Sequence, residues 1–490
     1  MMTASPTTTT ETLRHPRGLA TLFLTEMWER CSYYGMRALL ILFMTAGVQQ
    51  GGLGFSDKLA GAIYGLYTAT VYMAALPGGW VSDRLLGAQK TVWIGGAVIA
   101  LGHFTLAVPR AEGFFLGLLL VALGTGLLKP NVSAIVGKLY PEGGARRDAG
   151  FTIFYMGINL GSFIGPLVCG WLGEKINWHL GFAAAGVGMV AGLVQFSAMR
   201  GRLGDVGRRP EVSTVAARDW RVLGLALATL AVVVLLIWTG VLRINAVLVA
   251  QSAKWIILGL ATVFFVRLFL SHDLDAGEKR RVGVIAVLFV SSALFFSGFE
   301  QAGSSLNLFA ERHTARMIGG WETPTTWFQM VNPLFVILLA PLMAGVWVWL
   351  ARRERDPSLV VKFALGLLIL AAGFVVIMLG AQLATRGRVV PVWLLTTYFL
   401  HTVAELCVSP VGLSSVTKLA PPRYVGQMMG VWFLATSLGN LIAGLIAGEG
   451  GGGPADMAAI FSQVALAAAV LGVVLLAAAR PMRGWMVGIK

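Results

Sequence analysis

The chain alternates between long apolar stretches and short polar connections. Fourteen stretches are long enough for membrane-spanning helices, since about 20 apolar residues cross a bilayer. We predict spans at residues 17–48, 57–83, 89–108, 113–139, 149–173, 178–199, 220–241, 250–271, 280–311, 324–351, 359–381, 391–419, 424–447 and 457–480. Several exceed the minimum length, which favours tilted or kinked helices. The pattern therefore predicts an all-α polytopic membrane protein.

The spans group as six, two and six. We predict a flexible cytoplasmic tail (1–16), an N-terminal six-helix bundle (17–199), a linker with two extra helices (200–279), a C-terminal six-helix bundle (280–480) and a cytoplasmic tail (481–490). About three times as many lysines and arginines lie in the tails and even-numbered loops as in the odd-numbered loops. This bias marks the cytoplasmic side, so both termini are predicted to be cytoplasmic. Two six-helix halves are typical of transporters with a central site.

Composition supports a membrane protein, because 57% of the 490 residues are hydrophobic and only 12% are charged. The net charge of +15 comes from bases scattered among short loops, which suits anionic lipid headgroups rather than nucleic acid. The three cysteines, Cys31, Cys169 and Cys407, lie inside predicted spans without metal-ligand spacing. We therefore expect no disulfide, metal site or cofactor.

The first span carries a charged stripe. At 100° per residue, five side chains fall within about 60° of arc on one helix face, namely Glu26, Glu29, Arg30, Tyr33 and Arg37. Ionisable groups inside a bilayer cost several kcal/mol unless they face a cavity or a partner. The stripe therefore predicts a polar pathway rather than the solvated face of a soluble helix.

The other intramembrane charges divide between the two halves. The N-terminal half adds Lys129, whereas the C-terminal half contributes Glu300 and Glu405. A cavity between the halves would thus be positive on one wall and negative on the other, which suits a small zwitterion. The alternative is that some of these groups only pair with one another to hold helices together.

Further polar residues extend this pattern. Pro130 is expected to kink the fourth span and aim Lys129 inward. In the seventh core span, Glu300, Ser304 and Asn307 are predicted to form one helical stripe. Tyr64, Tyr67 and Tyr72 are candidates in the second span, with interfacial anchoring as the alternative for Tyr64.

A cytoplasmic turn carries Asp83 and Arg84, shortly before Lys90. An acid at one helix end with bases near the next helix start can fasten two helices in one state. We predict that Asp83 and Arg84 form a conformational latch rather than a substrate site.

Three segments resemble known signatures. The turn Gly79–Lys90 resembles the cytoplasmic signature of the major facilitator superfamily. Glu26-x-x-Glu29-Arg30-x-x-Tyr33-Tyr34-Gly35 resembles the ExxER signature of proton-dependent oligopeptide (POT) transporters, and Phe154–Ser162 resembles that family's second signature. The resemblance runs through nearly all twelve core helices, and the extra central pair is typical of bacterial members. It implies the major facilitator fold with 14 transmembrane helices, and proton-driven import of di- and tripeptides by alternating access, with peptide-like drugs as further candidates.

The resemblance also implies residue roles. It assigns proton coupling to Glu26, Glu29, Arg30 and Glu300. It assigns the peptide carboxylate to Tyr33, Arg37, Tyr72, Lys129 and Asn159, and the peptide amino end to Glu405, Asn332 and Ser409. Trp432 and Phe433 would line a side-chain pocket, with helix packing as the alternative. The chain departs from the family at Cys31, where phenylalanine is common, and at Phe296, where many members have tryptophan.

A coupling hypothesis follows. Burial disfavours the charged form of a carboxyl group, so Glu300 can take up a proton in a closing cavity. We expect ionised Glu300 to pair with Arg37 or Lys129, and protonation to free that base for the peptide carboxylate.

Other function classes fit less well. An enzyme is not expected, because no HExxH motif and no aspartate well inside a span are present, and His103 and His401 stand alone. The remaining alternatives are a relative that carries a small anion and a peptide sensor with little transport. The expected partners are small peptides, protons and the bilayer of the cell inner (cytoplasmic) membrane, which a multi-pass monomer would span.

Overall fold

The computed structural model describes residues 15–142, 144–211 and 217–486. Its helices are α1 (Arg17–Thr45), α2 (Asp57–Met73), α3 (Ala75–Val81), α4 (Ala88–Leu106), α5 (Ala111–Lys138), α6 (Gly144–Lys175), α7 (Trp178–Met199), α8 (Ala217–Trp238), α9 (Ala246–Leu270), α10 (Ala276–Phe299), α11 (Ser305–His313), α12 (Val331–Arg352), α13 (Leu359–Ala384), α14 (Val392–Leu419), α15 (Val425–Ala447) and α16 (Pro454–Trp485). Two short strands, β1 (Met317–Ile318) and β2 (Trp321–Glu322), pair antiparallel.

The helices make fourteen crossings, as the sequence predicts, because α3 continues α2 and α11 continues α10. Within the described residues, twelve helices are long and apolar enough to span a membrane. The two crossings outside this group are α1, which carries the charged stripe, and α4, which is short and begins with polar residues. The protein is therefore a multi-pass membrane protein. Most of the predicted N-terminal tail, 1–16, lies outside the described residues. At the other end, α16 continues to Trp485, five residues past the predicted end of the C-terminal bundle at residue 480.

Two six-helix groups, α1–α7 and α10–α16, stand before and after the extra pair, α8 and α9, in the chain. In the first group α1 packs on α6 and α7, and in the second α13 packs on α14 and α16. Helix α9 lies against α2 and α15, one helix from each group. Helix α8 leaves nearly all of its apolar side chains exposed, as a lipid-facing helix does.

We call the end of the molecule where α1 begins the inner end, and the opposite end the outer end. In the outer half, α2 and α15 are in backbone contact: a Cβ on Gly61 would lie 2.4 Å from the Gly444 carbonyl oxygen. Further towards the inner end, Leu76 faces Gly430 of α15 and remains half exposed. The two groups therefore pack tightly at the outer end and more loosely towards the inner end.

The predicted stripe of Glu300, Ser304 and Asn307 is wrong, because the helix breaks there. Helix α10 ends at Phe299, a 3-10 turn covers Glu300–Gly303, and α11 starts at Ser305. The break lets Tyr64 of α2 approach the chain, since a Cβ on Gly303 would lie only 1.9 Å from the Tyr64 hydroxyl. Apolar periodicity could not reveal it, because no proline interrupts the pattern.

The connection after α7 packs beneath the first group at the inner end. The Gln89 side chain donates to the carbonyl oxygens of Gly204 and Val206 at 3.1 and 2.8 Å. It also accepts from Arg200 Nε at 2.9 Å, and Leu203 is buried. This part of the predicted linker is therefore held against α4.

Candidate functional site

The charged stripe of α1 is buried. Glu26, Glu29 and Arg30 expose 2%, 0% and 3% of their surface. Arg30 Nε lies 2.5 Å from Glu29 and 3.1 Å from Glu26, and its guanidinium lies over the ring of Tyr33. Two carboxylates thus share one guanidinium. Because a buried excess charge is costly, such a cluster is chemically suited to hold a proton.

Arg37, one helix turn beyond Tyr33, joins the two groups. Its Nη2 forms an ion pair with Glu300, and its Nε donates to the Tyr64 hydroxyl at 2.6 Å. The guanidinium also lies over the rings of Tyr34 and Tyr64. Both charged side chains are only about 7% exposed. Of the two bases that the sequence proposes for Glu300, the structure therefore brings Arg37 to it.

Lys129 lies on α5 and contacts Tyr72. Its Nζ is 4.4 Å from the centre of the Tyr72 ring, a cation–π contact, and both residues are half-buried. Helix α5 continues through Pro130 without a break. The Lys129 ammonium group is held by this aromatic face, and it makes no ion pair with a described residue.

Two further predicted carboxylate-side residues make local contacts. The Tyr33 ring stacks on Tyr67 at 6.4 Å and is buried. Asn159 is buried on α6 and donates to the Tyr155 carbonyl oxygen at 2.9 Å. These contacts orient both side chains within the first group.

Glu405 and Asn332 form a second polar pair, on α14 and α12. The Asn332 amide donates to Glu405 Oε2 at 3.2 Å and to Thr402 Oγ1 at 2.9 Å. Ser409, one turn beyond Glu405, is half-buried. No described base forms an ion pair with Glu405, so its ionised carboxylate can accept a cationic group.

The two predicted pocket aromatics differ in their packing. Trp432 is buried, makes an edge contact with Phe363 on α13, and fills the space beside Gly412 on α14. Phe433 is half-buried. Trp432 thus packs inside the second group, which is the alternative that the sequence left open, whereas Phe433 keeps an accessible edge.

The predicted latch makes a different contact from the one expected. Asp83 and Arg84 are exposed in a π-helical turn, and Arg84 lies 3.6 Å from Asp219 on α8. Among the described residues, Asp83 makes no ion pair with a base of α4. The observed link therefore runs from the α3–α4 turn to the extra helix pair, because α8 brings an acid to this position.

Sequence reasoning missed the contacts that close the outer end, which we call the outer clamp. Arg312 of α11 donates to both carboxylate oxygens of Asp57 at the start of α2, at 2.6 and 2.9 Å. Glu174 of α6 accepts from the backbone of Thr325 and from the backbone and hydroxyl of Thr326, at 2.7, 2.8 and 2.7 Å. Charges at helix ends are ordinarily expected in water, so nothing in the sequence pattern marks them as contacts.

Two more polar residues belong near the site: Tyr64, which the sequence offered as a candidate, and Thr402, which sequence reasoning missed. Tyr64 is completely buried and bound to Arg37, which excludes the interfacial-anchor alternative. Its only signal was a polar group in an apolar helix. Thr402 is buried one turn from Glu405 and holds Asn332 in place. No group of acids, histidines or cysteines suited to a metal ion occurs among the described residues.

Known proteins share both the sequence and the structure. The family model described as POT family matches residues 89–449. A peptide transporter of Yersinia enterocolitica is 44% identical over 96% of this chain and 95% of its own. A di-/tripeptide transporter of Lactococcus lactis subsp. cremoris is 39% identical over 87% of this chain and 88% of its own.

Solved structures agree with these relatives. The crystal structure of a peptide transporter, POT, in complex with sulfate has a TM-score of 0.90 and 42% identity, and covers 97% of this chain and 96% of the other. The crystal structure of a POT family transporter in complex with 5-aminolevulinic acid has a TM-score of 0.87 and 34% identity. It covers 96% of this chain and 97% of the other. The family model, the relatives and the solved structures agree with the all-helical fold. This chain therefore belongs to the POT family of peptide transporters, and it is a membrane transporter rather than an enzyme.

Proposed function

We propose that the protein is a proton-coupled symporter that imports di- and tripeptides across the cytoplasmic membrane by alternating access. It acts as a monomer with both termini in the cytoplasm. The observation that carries this proposal is the buried Arg37–Glu300 ion pair, which joins the two six-helix groups. A charge pair at this place can be opened by a proton on one side and by a carboxylate on the other.

The coupling step is an exchange of partners for Arg37. When Glu300 takes up a proton it loses its charge, and its attraction for the guanidinium falls. Arg37 is then a buried cation without a counter-charge, which is costly. A peptide carboxylate supplies the missing charge with two oxygens in bidentate geometry. Each ligand thereby favours the other's binding, which is the thermodynamic requirement for symport.

The rest of the site orients the peptide. Lys129 adds a second positive charge beside Tyr72, so the carboxylate is expected on this side. Glu405, hydrogen bonded to Asn332, is expected to receive the peptide ammonium group. The cluster of Glu26, Glu29 and Arg30 is expected to pass the proton towards the inner end, where α1 begins.

The tight outer end and looser inner end support an inward-facing state for this conformation. In this state the outer clamp blocks the path from outside. Import then requires the outer clamp to open, peptide and proton to enter, and the clamp to close again before release at the inner end.

The test is transport by purified protein in liposomes. A labelled dipeptide should accumulate only under an inward proton gradient, and unlabelled di- and tripeptides should compete more strongly than tetrapeptides. Accumulation that ignores the gradient would overturn proton coupling. Equal competition by all lengths would overturn the substrate class.

A further inference from the structure

A cavity of about 300 Å³ lies at the outer end, on the seam between the two groups. One wall is the end of α1 and the turn after it, with Thr45, Ala46, Gly47 and Gln50. The other wall carries three arginines and one glutamate, namely Arg312, Arg316, Arg388 and Glu311. The cavity is separate from the central site, because the Asp57–Arg312 part of the outer clamp lies at its edge.

Backbone hydrogen bonds bring Arg388, which is distant in the chain, to this wall. Val389, in the connection between α13 and α14, donates to the His313 carbonyl oxygen at 2.9 Å. Ala315 donates back to the Val389 carbonyl oxygen at 2.8 Å. This short parallel bridge fixes Arg388 beside the segment that follows α11. Three like charges are thus held together by the fold itself.

The carboxylates nearby pair with two of the three arginines. Arg312 is bound by Asp57 and lies 3.6 Å from Glu311, and Arg316 is bound by Glu322 at 2.9 Å. Arg388 is exposed and makes no ion pair with a described residue. The Nε of Arg316, a side chain only 8% exposed, has no hydrogen-bond partner among the described residues. Unsatisfied guanidinium donors around one cavity are suited to an oxyanion.

We propose that this cavity binds a small external dianion with oxygen donors, and that it does so only while the outer end is closed. The two walls belong to different groups of helices. Opening the outer clamp moves them apart and divides the site. The anion therefore stabilises the closed state and opposes the binding of external peptide, which needs the open state. This inference rests on the alternating-access cycle proposed above.

The expected effect follows from linkage. An anion at ten times its dissociation constant multiplies the weight of the closed state by about eleven. The external peptide concentration for half-maximal uptake should rise by up to the same factor.

The experiment measures dipeptide uptake into right-side-out membrane vesicles under a fixed proton gradient. The external salt is sodium sulfate, sodium malonate or sodium chloride at equal ionic strength. We compare the wild type with Arg388→Gln and with Arg386→Gln, a matched control in the same exposed connection that does not line the cavity. For each protein, the dipeptide uptake in sulfate or malonate is expressed relative to its own uptake in chloride.

Inhibition in the wild type and in Arg386→Gln, lost in Arg388→Gln, supports the site. The difference between sulfate and malonate then tells an inorganic anion from a dicarboxylate. Inhibition of equal size in all three proteins indicates competition at the central site and overturns the proposal, as does no inhibition at all. If Arg388→Gln does not reach the membrane, spin labels are placed at the outer end of Glu174→Ala, which lacks three hydrogen bonds that hold this end closed. Sulfate must then shorten the distance between the labels, and an unchanged distance also overturns the proposal. Proton-driven uptake in chloride tests the proposed transport cycle itself, so a failure of that cycle can be told apart from a failure of the anion site.

Discussion

Removal of the Glu174 carboxylate should open the outer end. This group accepts three hydrogen bonds from the opposite six-helix group, at 2.7, 2.8 and 2.7 Å. Opening the outer end replaces these bonds by bonds to water, so each contributes only about 1 kcal/mol. Glu174→Ala should therefore shift the equilibrium by about 3 kcal/mol, roughly a hundredfold towards the open state. Thr326→Val removes a single bond and should shift it by about 1 kcal/mol.

The assay is a distance measurement between two spin labels at the outer end. Ile176→Cys and Val390→Cys provide exposed attachment points in the two groups, and the three native cysteines are buried. In lipid nanodiscs, Glu174→Ala should add a longer distance that is minor in the parent protein. Glu112→Ala, which removes an exposed outer-end glutamate outside these contacts, is the control and should leave the distribution unchanged. The same distance distribution in Glu174→Ala and in the parent would show that the Glu174 hydrogen bonds do not hold the outer end closed.

Three further predictions concern the site and the outer clamp. Gly303→Ala places a Cβ 1.9 Å from the Tyr64 hydroxyl, so proton-driven uptake should fall about tenfold or more while the amount of protein in the membrane stays normal. Gly259→Ala, which has open space around it, is the control and should not lower uptake. Glu405→Ala should weaken peptides with a free amino group far more than N-blocked ones in competition assays; equal losses would contradict its role. Lys175 of the first group and Glu322 of the second form an ion pair at the outer end, and the Lys175 ammonium group holds the pKa of the Glu322 carboxyl below its ordinary value. The ion pair is therefore present at neutral pH and is lost only as the pH falls through that lowered pKa. Glu322→Gln should therefore lengthen the outer-end distance at neutral pH, and an effect that appears only in acid would contradict this sign.

The crossings were predictable because a bilayer demands long apolar helices, and each predicted span overlaps an observed one. The family followed from the signature-like segments Glu26–Gly35 and Phe154–Ser162, and the candidate site positions were proposed in part from intramembrane charges, which rarely occur without a partner. Arg37 and Glu300 are the clearest case, since each stands in an apolar span of a different half and the structure joins them.

What the sequence could not reveal depends on contacts between distant segments. The helix break at Glu300–Gly303 has no proline to mark it, and it lies where Tyr64 of the distant helix α2 packs against the chain. Arg84 pairs with Asp219 because of where α8 lies. The outer clamp uses Glu174 and other helix-end charges, whose sequence pattern is that of solvated surface.

The most direct test of the central claim is the Glu300→Gln variant in liposomes. Glutamine keeps the size of the side chain but cannot take up or release the proton that opens the pair with Arg37. We expect counterflow exchange of labelled dipeptide to continue while accumulation under a proton gradient is lost. Undiminished uphill accumulation by this variant would contradict the proposed coupling.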